Sequence, residues 1–552
     1  MATLTDRPKP TGTSTPASEP RARQHGPPSG RRRGRVRVLI PAVAAALAAL
    51  AVVLSIGSGP VPPATGAAKL VPADALLYVH LSTDRGRSSV RQAMALTRRL
   101  PDWSLLGAAL VRRTGAPLSA PWLGREAAFA LLDTSGSSAG SLIVLDVRNR
   151  ARAERYLTAA GAAPDGTYGR ATLLREASGT ELAFAGHYLL LGQPASVRAG
   201  LDVAAGQAPS LASDPAYQRA SAGEPADRVL DAYASVGGVR RVLAPRGGLL
   251  GALGALLDQP ALTGVTVSAS AVTGGLRMQV HEALDPGLAR VSAPPAQFSP
   301  TLAGVMPSGS TLLLDVHGLG RSAPRILATL ASAGIGARIG PLLSRLGSAL
   351  ASEGVDIPQV LSIFSGETAV AIAPGASSRR GARVPALVIV ARTAHPNATS
   401  GLLAGLEAPL AQLFPPPSSG AGQAPEFGEA QVAGVTAHQM ALAPGLQLDY
   451  AVFRGLVVVS TSVRAIAGVA RHARSLADTG SYSATLANGP SRVTSLLFFD
   501  FNQLLSLGEQ AGLMRGAQMA ALRPDLQKIR AVGLTSTRGE SDTTAELFLQ
   551  IP

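Results

Sequence analysis

Two stretches decide the fold, VPADALLYVH at residues 71–80 and MPSGSTLLLD at residues 306–315. Each starts at a proline turn and continues into an apolar segment, which is typical of a turn that leads into a β-strand. A second pair agrees more closely, with YLLLG before SVRA at residues 188–199 and LVVVS before SVRA at residues 456–465. Both indicate a strand followed by a helix. The sequence therefore predicts that the body of the chain is duplicated.

The segments between these landmarks indicate antiparallel pairing. Each copy has two apolar runs separated by a loop, and each copy ends in an apolar hairpin. The predicted fold class is α+β, with two tandem similar units, each a largely antiparallel sheet with helices packed on one face. The apolar runs are residues 127–132, 141–147, 368–373 and 385–391, the hairpins are residues 264–280 and 533–551, and the units are residues 71–285 and 306–552 with a linker at 286–305.

The apolar run VLIPAVAAALAALAVVLSI at residues 38–56 contains no charged residue and is long enough to span a bilayer as a helix. A basic cluster at residues 31–37 precedes it, and such a cluster holds its end of a span in the cytoplasm. We therefore expect a disordered cytoplasmic tail at residues 1–37, one transmembrane helix at 38–56, a linker at 57–70 and an extracytoplasmic body at the cell membrane. Small residues at 64–67 leave a cleaved signal sequence as an alternative.

Composition excludes several classes of protein. Hydrophobic residues make up 46% of the chain and charged residues 15%, which excludes a disordered body. The formal charge is +15, but the first 37 residues alone hold nine Arg or Lys against two acidic residues. The remaining excess is spread over a long body, so we expect no nucleic-acid partner. The absence of cysteine excludes thiol chemistry and disulfides.

The residues also resemble a known family. The PADALLYV opening, the segment WLGREAAFAL at residues 122–131 and the block from Tyr188 to Arg198 resemble bacterial exported proteins of domain-of-unknown-function family 3352. The resemblance covers about residues 71–550. It implies a membrane-tethered α+β protein and supplies no catalytic residue.

Motifs for catalysis, cofactors and metals occur only in unsuitable contexts. The GSSAG of residues 136–140 matches the nucleophile elbow, but a strand follows it where a helix is needed, so a hairpin loop is favoured. The glycine-rich residues 334–340 lie within a helical pattern rather than after a strand. The eight histidines form no metal-binding spacing, and His80 and His187 are expected as strand histidines. The carboxylates Asp74, Asp84, Asp133 and Asp146 are expected as turn and strand-end residues. No catalytic residue, cofactor or metal is predicted.

Polar residues that recur in both copies are the remaining candidates. Ser196 and Ser462 are expected to cap helices, and Arg198 and Arg464 are expected in the first turns of those helices. Asp214, followed by Pro215, is expected as the N-cap of a further helix with proline at its first position. A structural role is favoured for both arginines, each paired with a carboxylate or carbonyl of its own copy; they are also the two candidate ligand-binding residues. The other recurring pairs are Tyr217 with Tyr482, Arg228 with Arg492, and Gln279 with Gln550.

Two functions follow from this pattern. The first is a non-enzymatic binding or structural module of the bacterial cell envelope, whose partner is a cell-wall polymer, a lipid or another exported protein. The alternative is an envelope hydrolase, with a site assembled from scattered Ser, Asp and His residues.

Overall fold

The structure is a computed structural model that describes residues 61–99, 120–132, 140–245, 257–290, 295–319, 348, 351–352, 354, 357–377, 383–412, 425–443, 446–471, 474–510, 523–524 and 526–552. The predicted tail, the predicted transmembrane helix and most of the GSSAG and glycine-rich motifs lie outside these residues. Among the described helices none is both long and apolar enough to cross a membrane.

The chain is a mixed α/β protein built on one large antiparallel sheet. Its first ten strands are β1 Leu77–Ser82, β2 Leu123–Leu131, β3 Ser141–Val147, β4 Ala163–Tyr168, β5 Ala171–Arg175, β6 Glu181–Ala185, β7 Tyr188–Gly192, β8 Leu230–Ser235, β9 Leu262–Val272 and β10 Gly275–Leu284. The next ten are β11 Leu312–His317, β12 Glu367–Ser377, β13 Arg383–Arg392, β14 Gly428–Val432, β15 Val435–Ala443, β16 Leu446–Phe453, β17 Leu456–Ser460, β18 Ser495–Asp500, β19 Ala531–Arg538 and β20 Asp542–Gln550.

Short helices connect these strands. In the first half they are α1 Ser88–Thr97, α2 Arg150–Ala159, α3 Pro194–Ala204, α4 Pro215–Ser221, α5 Val236–Gly238, which continues into a π turn Val239–Leu243, and α6 Pro286–Ala289. In the second half they are α7 Ile357–Ser362, α8 Pro396–Gly405, α9 Glu407–Gln412, α10 Val463–Arg471, α11 Gly480–Leu486 and α12 Phe501–Gln510. Single 3₁₀ turns occur at Gly66–Lys69, Leu211–Ser213 and Leu302–Gly304.

The strand order is the same in both halves. It is β4-β5-β6-β7-β3-β2-β1-β8-β9-β10 in the first half. In the second half it is β14-β15-β16-β17-β13-β12-β11-β18-β19-β20. The last strands of the two halves, β10 and β20, pair antiparallel from Gly275 opposite Gln550 to Ala283 opposite Asp542, which makes the sheet continuous.

Helices cover both faces of the sheet in the first half, so the prediction of a single covered face is wrong. One face carries Tyr78, Leu190 and Tyr233 against α3 and α4. The other carries Leu81 and Leu189 against α1 and α2. Successive strand residues point to opposite faces, and the uninterrupted apolar run of β7 is what a strand covered on both faces requires.

Candidate functional site

A polar pocket lies at one end of the sheet in the first half. β1 and β3 end here, while β2 and β7 begin here, because antiparallel neighbours alternate in direction. The pocket has a volume of about 570 Å³. Its charged or titratable lining residues are Asp84, Arg85, Arg125, Asp146, Arg148 and His187.

Asp146 is fixed in the pocket by the backbone of β2. One of its carboxylate oxygens accepts a hydrogen bond from the backbone N–H of Arg125 at 2.6 Å. This approach requires a glycine beside it, because a Cβ on Gly124 would lie 2.2 Å from Asp146 Oδ2. The His187 ring is 67% exposed, with Nε2 3.9 Å from Asp146 Oδ1. Asp146 therefore holds the β2 edge of the pocket in place.

The surrounding polar groups leave the cationic side chains at the rim. The Thr83 hydroxyl donates to the carbonyl of Gly124 at 2.8 Å, which closes the wall between β1 and β2. The Arg148 guanidinium donates to the Pro121 carbonyl at 2.9 Å. Arg85, Arg125 and Arg148 are all exposed. The lining thus carries three arginines against two aspartates.

A buried ionic network lies directly behind this pocket. His80 is fully buried, with Nδ1 2.9 Å from Asp231 Oδ1 and Nε2 3.3 Å from Glu126 Oε2. The network continues through the Arg228 guanidinium. Its Nε lies 3.0 Å from Asp231 Oδ1, and its Nη2 lies 3.0 Å from Glu224 Oε2. Because the two carboxylates face opposite nitrogens of one ring, they do not converge on a common point as metal ligands do.

The charges of this network determine its protonation. Burial alone would lower the pKa of His80, but the charge and hydrogen bonds of Asp231 and Glu126 outweigh it and raise the pKa to about 9. His80 is therefore a cation at neutral pH. Burial would raise the pKa of Glu126 and Asp231, but their contacts with His80 hold both below the usual range. Burial, then repulsion from Asp231, raises the pKa of Glu224 to about 8.

Glu126 also attaches the segment before β1 to the sheet. Its carboxylate accepts hydrogen bonds from the backbone N–H groups of Gly66 at 3.0 Å and Ala67 at 3.2 Å, and from the Tyr188 hydroxyl at 2.6 Å. An added Cβ at Gly66 would lie 2.0 Å from the Tyr188 hydroxyl, so any other residue there would displace the Tyr188 side chain. The first 3₁₀ turn is thereby tied to β2 and β7.

The second half repeats this attachment with different neighbours. Glu367 is the first residue of β12, and Glu126 lies similarly near the start of β2. The Glu367 carboxylate accepts hydrogen bonds from the backbone N–H groups of Thr301 and of Leu302, the latter at 2.9 Å. Arg392 Nε lies 2.9 Å from the same carboxylate. Asp315 occupies the register position of His80; burial, then repulsion from Glu367, raises its pKa to about 8. The second half therefore has no buried histidine cation at this position.

The two arginines predicted as ligand candidates lie in different halves of the sheet. Twelve strands separate β7 and β17, which precede their helices. Arg198 Nε lies 3.5 Å from the buried carboxylate of Glu181, and its guanidinium lies 5.6 Å from the Tyr168 ring centre. Arg464 is exposed and is the second residue of α10. These contacts agree with a structural role for Arg198, while a ligand role of either arginine stays a prediction.

Two details of the predicted helix starts are wrong. Gln193 is at the N-cap of α3 and Pro194 is its first residue, so Ser196 lies inside the helix and Arg198 is beyond the first residues. Proline has no N–H to lose and a fixed φ, which suits it to the first helical position. Asp214 does cap α4, accepting from the N–H groups of Ala216 and Tyr217 at 3.2 Å.

The other recurring residues lie at separate points of the framework. Tyr217 packs edge-on against Tyr78 and Tyr233, and Tyr482 packs on Phe498. Arg228 belongs to the buried network, whereas Arg492 donates to the Gln297 carbonyl at 3.3 Å. Among the carboxylates, Asp84 accepts from the N–H of Gly86 in a turn at 2.9 Å. Sequence reasoning missed Glu126 and Glu367, although a glutamate at the start of the second strand in both copies was a usable signal.

The family follows from a comparison with family models. A model described as a protein of unknown function, DUF3352, matches residues 36–551. The chain belongs to this family. The match contains both halves of the sheet and also the apolar run at residues 38–56. The resemblance inferred from the sequence is therefore confirmed.

Other comparisons add little to this DUF3352 protein. None of the curated proteins matches it. A solved structure described as crystal form IV of TP0453 is similar at 12% identity and a TM-score of 0.25, covering 40% of this chain and 83% of the other. Crystal form III of TP0453 gives 14% identity and a TM-score of 0.26, covering 40% and 85%. These values are too low to carry a conclusion about fold or function.

Proposed function

We propose that this protein is a membrane-tethered, extracytoplasmic binding module of the cell envelope that holds an anionic group in the polar pocket. The observation that carries the proposal is the set of three exposed arginines, Arg85, Arg125 and Arg148, around one pocket of about 570 Å³. Guanidinium groups present several N–H donors in a planar fork that suits carboxylate and phosphate oxygens. A phosphate or carboxylate group is the ligand chemistry that this rim favours.

The proposed tether is the apolar run at residues 38–56, with residues 1–37 in the cytoplasm. Its length, its lack of charge and the basic cluster before it support this topology. The family match adds support because it begins at residue 36, just before the run.

We also propose that the body arose by tandem duplication. The shared strand order, the two glutamates that each attach a 3₁₀ turn, and the antiparallel pairing of the final strands support it. On this proposal the halves are residues 71–285 and 306–552.

The contacts of His80 and Thr83 argue against hydrolysis by these two residues. A catalytic histidine needs one nitrogen free to take a proton from a nucleophile. His80 has a carboxylate beside each ring nitrogen and is fully buried, and Thr83 donates its hydroxyl to a backbone carbonyl. Neither residue is available as a base or a nucleophile.

Thermal unfolding of the full chain in detergent tests the binding proposal. Inorganic phosphate, glycerol phosphate and galacturonate are compared with uncharged glucose. A ligand at 100 times its Kd stabilises the folded state by about 2.7 kcal/mol. We expect at least one anion to raise the Tm of the unmodified chain and not that of the R85Q/R125Q/R148Q variant.

A matched control removes three exposed arginines elsewhere. The R219Q/R471Q/R530Q variant has the same change in net charge and should keep the response to the anion. Equal responses in all three proteins, or no response to any anion, would contradict the proposal. Covalent labelling of one serine by a fluorophosphonate, with turnover, would instead support the hydrolase alternative.

A further inference from the structure

The segment between the apolar run and the first strand is part of the folded body. Arg87 Nε donates to the carbonyl of Val61 at 2.8 Å, and Glu126 accepts from the N–H groups of Gly66 and Ala67. Ala67 and Val71 are fully buried. A segment with this many contacts does not act as a flexible spacer, so the body is fixed to the chain from Val61 onward.

The length of chain before Val61 limits how far the body can lie from a membrane. Only four residues lie between Ile56, the last residue of the apolar run, and Val61, which makes five residue steps along the chain. An extended chain spans at most about 3.6 Å per residue, so this separation is at most about 18 Å. If residues 38–56 span the bilayer, Val61 lies within that distance of its surface.

The polar pocket lies at the same end of the sheet as Val61. Arg87, which holds Val61, is the next residue after Gly86 and two after Arg85, and both of those line the pocket. The second guanidinium nitrogen of Arg87 donates to the Ala226 carbonyl at 2.9 Å, in the loop before β8. Because β1 ends and β8 begins at this end of the sheet, the tether and the pocket share one end of the first half.

We propose that the pocket binds the phosphate of an anionic phospholipid headgroup in the membrane that anchors the same chain. This inference rests on the proposed function, since it needs both the tether and an anion-binding pocket. Attraction between exposed charges is screened over about one Debye length of roughly 8 Å, so the arginines must come close to the headgroups to bind them, and a tether that holds Val61 within about 18 Å of the surface allows this approach. A tether this short also keeps the headgroups at a high effective concentration.

Native mass spectrometry of the full chain, released from detergent micelles with added lipid, measures this binding. The probe is phosphatidylglycerol, and phosphatidylcholine is the lipid with no net charge. Each arginine near an anionic surface contributes on the order of fivefold in affinity, so three contribute about 100-fold. We expect R85Q/R125Q/R148Q to bind phosphatidylglycerol about 100-fold more weakly, and R219Q/R471Q/R530Q to bind it as the unmodified chain does.

The outcomes separate the lipid from a soluble source of the same chemistry. Competition with sn-glycerol 3-phosphate should release the lipid only at a large excess. If soluble glycerol phosphate binds with the three arginines intact and the lipid does not, the headgroup inference fails while the proposed binding function stands. If neither binds, and neither inorganic phosphate nor galacturonate raises the Tm, both fail. Equal lipid binding by the unmodified chain and both triple variants overturns the inference.

A second experiment tests the orientation without any ligand. The chain contains no cysteine, so single Ala226→Cys and Ser178→Cys variants can each carry one fluorophore. Ala226 lies near Val61, whereas Ser178 lies in the turn before β6, at the opposite end of the sheet. A five-residue strand spans about 17 Å. In nanodiscs with a quencher on the headgroup, we expect stronger quenching at residue 226, and stronger quenching at residue 178 overturns the inference.

Discussion

Replacement of His80 by glutamine should lower the free energy of unfolding, and the loss should depend on pH. The pKa of His80 is raised from 6.5 to about 9, which corresponds to about 3 kcal/mol of stabilisation by linkage. Removing one partner of a buried ion pair costs about 3 to 5 kcal/mol, in agreement. Because the folded-state pKa is the higher one, this stabilisation is complete below pH 6.5 and is lost as the pH rises toward 9.

The measurement is urea unfolding of the full chain in detergent between pH 6 and pH 10. Trp122 is buried in the first half and serves as the fluorescent probe in a Trp103→Phe background. We expect the difference between unmodified chain and His80→Gln to be about 3 kcal/mol at pH 6 and to shrink by most of that amount by pH 10. The charge of His80 also lowers the pKa of Glu224, but it is a smaller cause than burial, Asp231 and Arg228, so the titration of Glu224 should differ less between the two proteins than that of residue 80.

The matched control is His187→Gln, because the His187 ring is exposed and 3.9 Å from its nearest carboxylate. This variant should unfold as the unmodified chain does at every pH. A His80→Gln difference that stays constant from pH 6 to pH 10 would refute the reasoning, since it would show that His80 is not a buried cation.

Three further substitutions test other parts of the structure. Gly124→Ala forces Asp146 away from the β2 backbone and should cost about 1 to 3 kcal/mol in urea unfolding. Asp315→Asn removes a buried carboxyl whose pKa is raised from 3.8 to about 8. Because the folded-state pKa is the higher one, the folded state loses stability as the pH rises from 3.8 to about 8 and this carboxyl ionises. The melting temperature of the variant should therefore fall less than that of the unmodified chain between about pH 5 and pH 9. Arg198→Ala leaves buried Glu181 with a single cationic partner, Arg175, which lies 3.3 Å away, and should lower the melting temperature, by about 1 kcal/mol of stability.

Each of these has a clear contrary outcome. Gly304→Ala is the control for the first, because no atom lies within 4 Å of a Cβ added there; equal losses at both glycines would contradict the close-approach argument. Parallel pH profiles for Asp315→Asn and the unmodified chain would show that Asp315 does not titrate in this range. If Arg198→Ala melts as the unmodified chain does, its pairing with Glu181 contributes nothing, and a ligand role for Arg198 becomes the better hypothesis.

The sequence predicted the elements that depend on local pattern. Apolar runs beside turns predicted the antiparallel pair β2 and β3 and the closing hairpins β9–β10 and β19–β20. The Asp-Pro step predicted the start of α4. Such features need only neighbouring residues, because hairpin registers and helix caps form within a few positions of the chain.

The buried network could not be predicted in the same way. His80 and Asp231 are 151 positions apart, and they meet only because β1 pairs with β8 in one register. A shift of one residue would turn one of them to the other face. The covered second face was missed for a related reason, since a short apolar strand does not reveal how many layers pack on it.

The same register argument shows, for the residues that the structure describes, how the two halves differ at the candidate site. Asp146 faces Tyr188 across β3 and β7, as Arg392 faces Leu456 across β13 and β17, so the two charged residues occupy equivalent positions. In the second half that position supplies the cation that pairs with Glu367. In the first half the buried glutamate is neutralised instead by His80 from the sheet interior. The first half therefore does not need a rim arginine to neutralise its buried glutamate. Its three pocket arginines, Arg85, Arg125 and Arg148, are exposed at the rim of the pocket, where the proposed anion would bind.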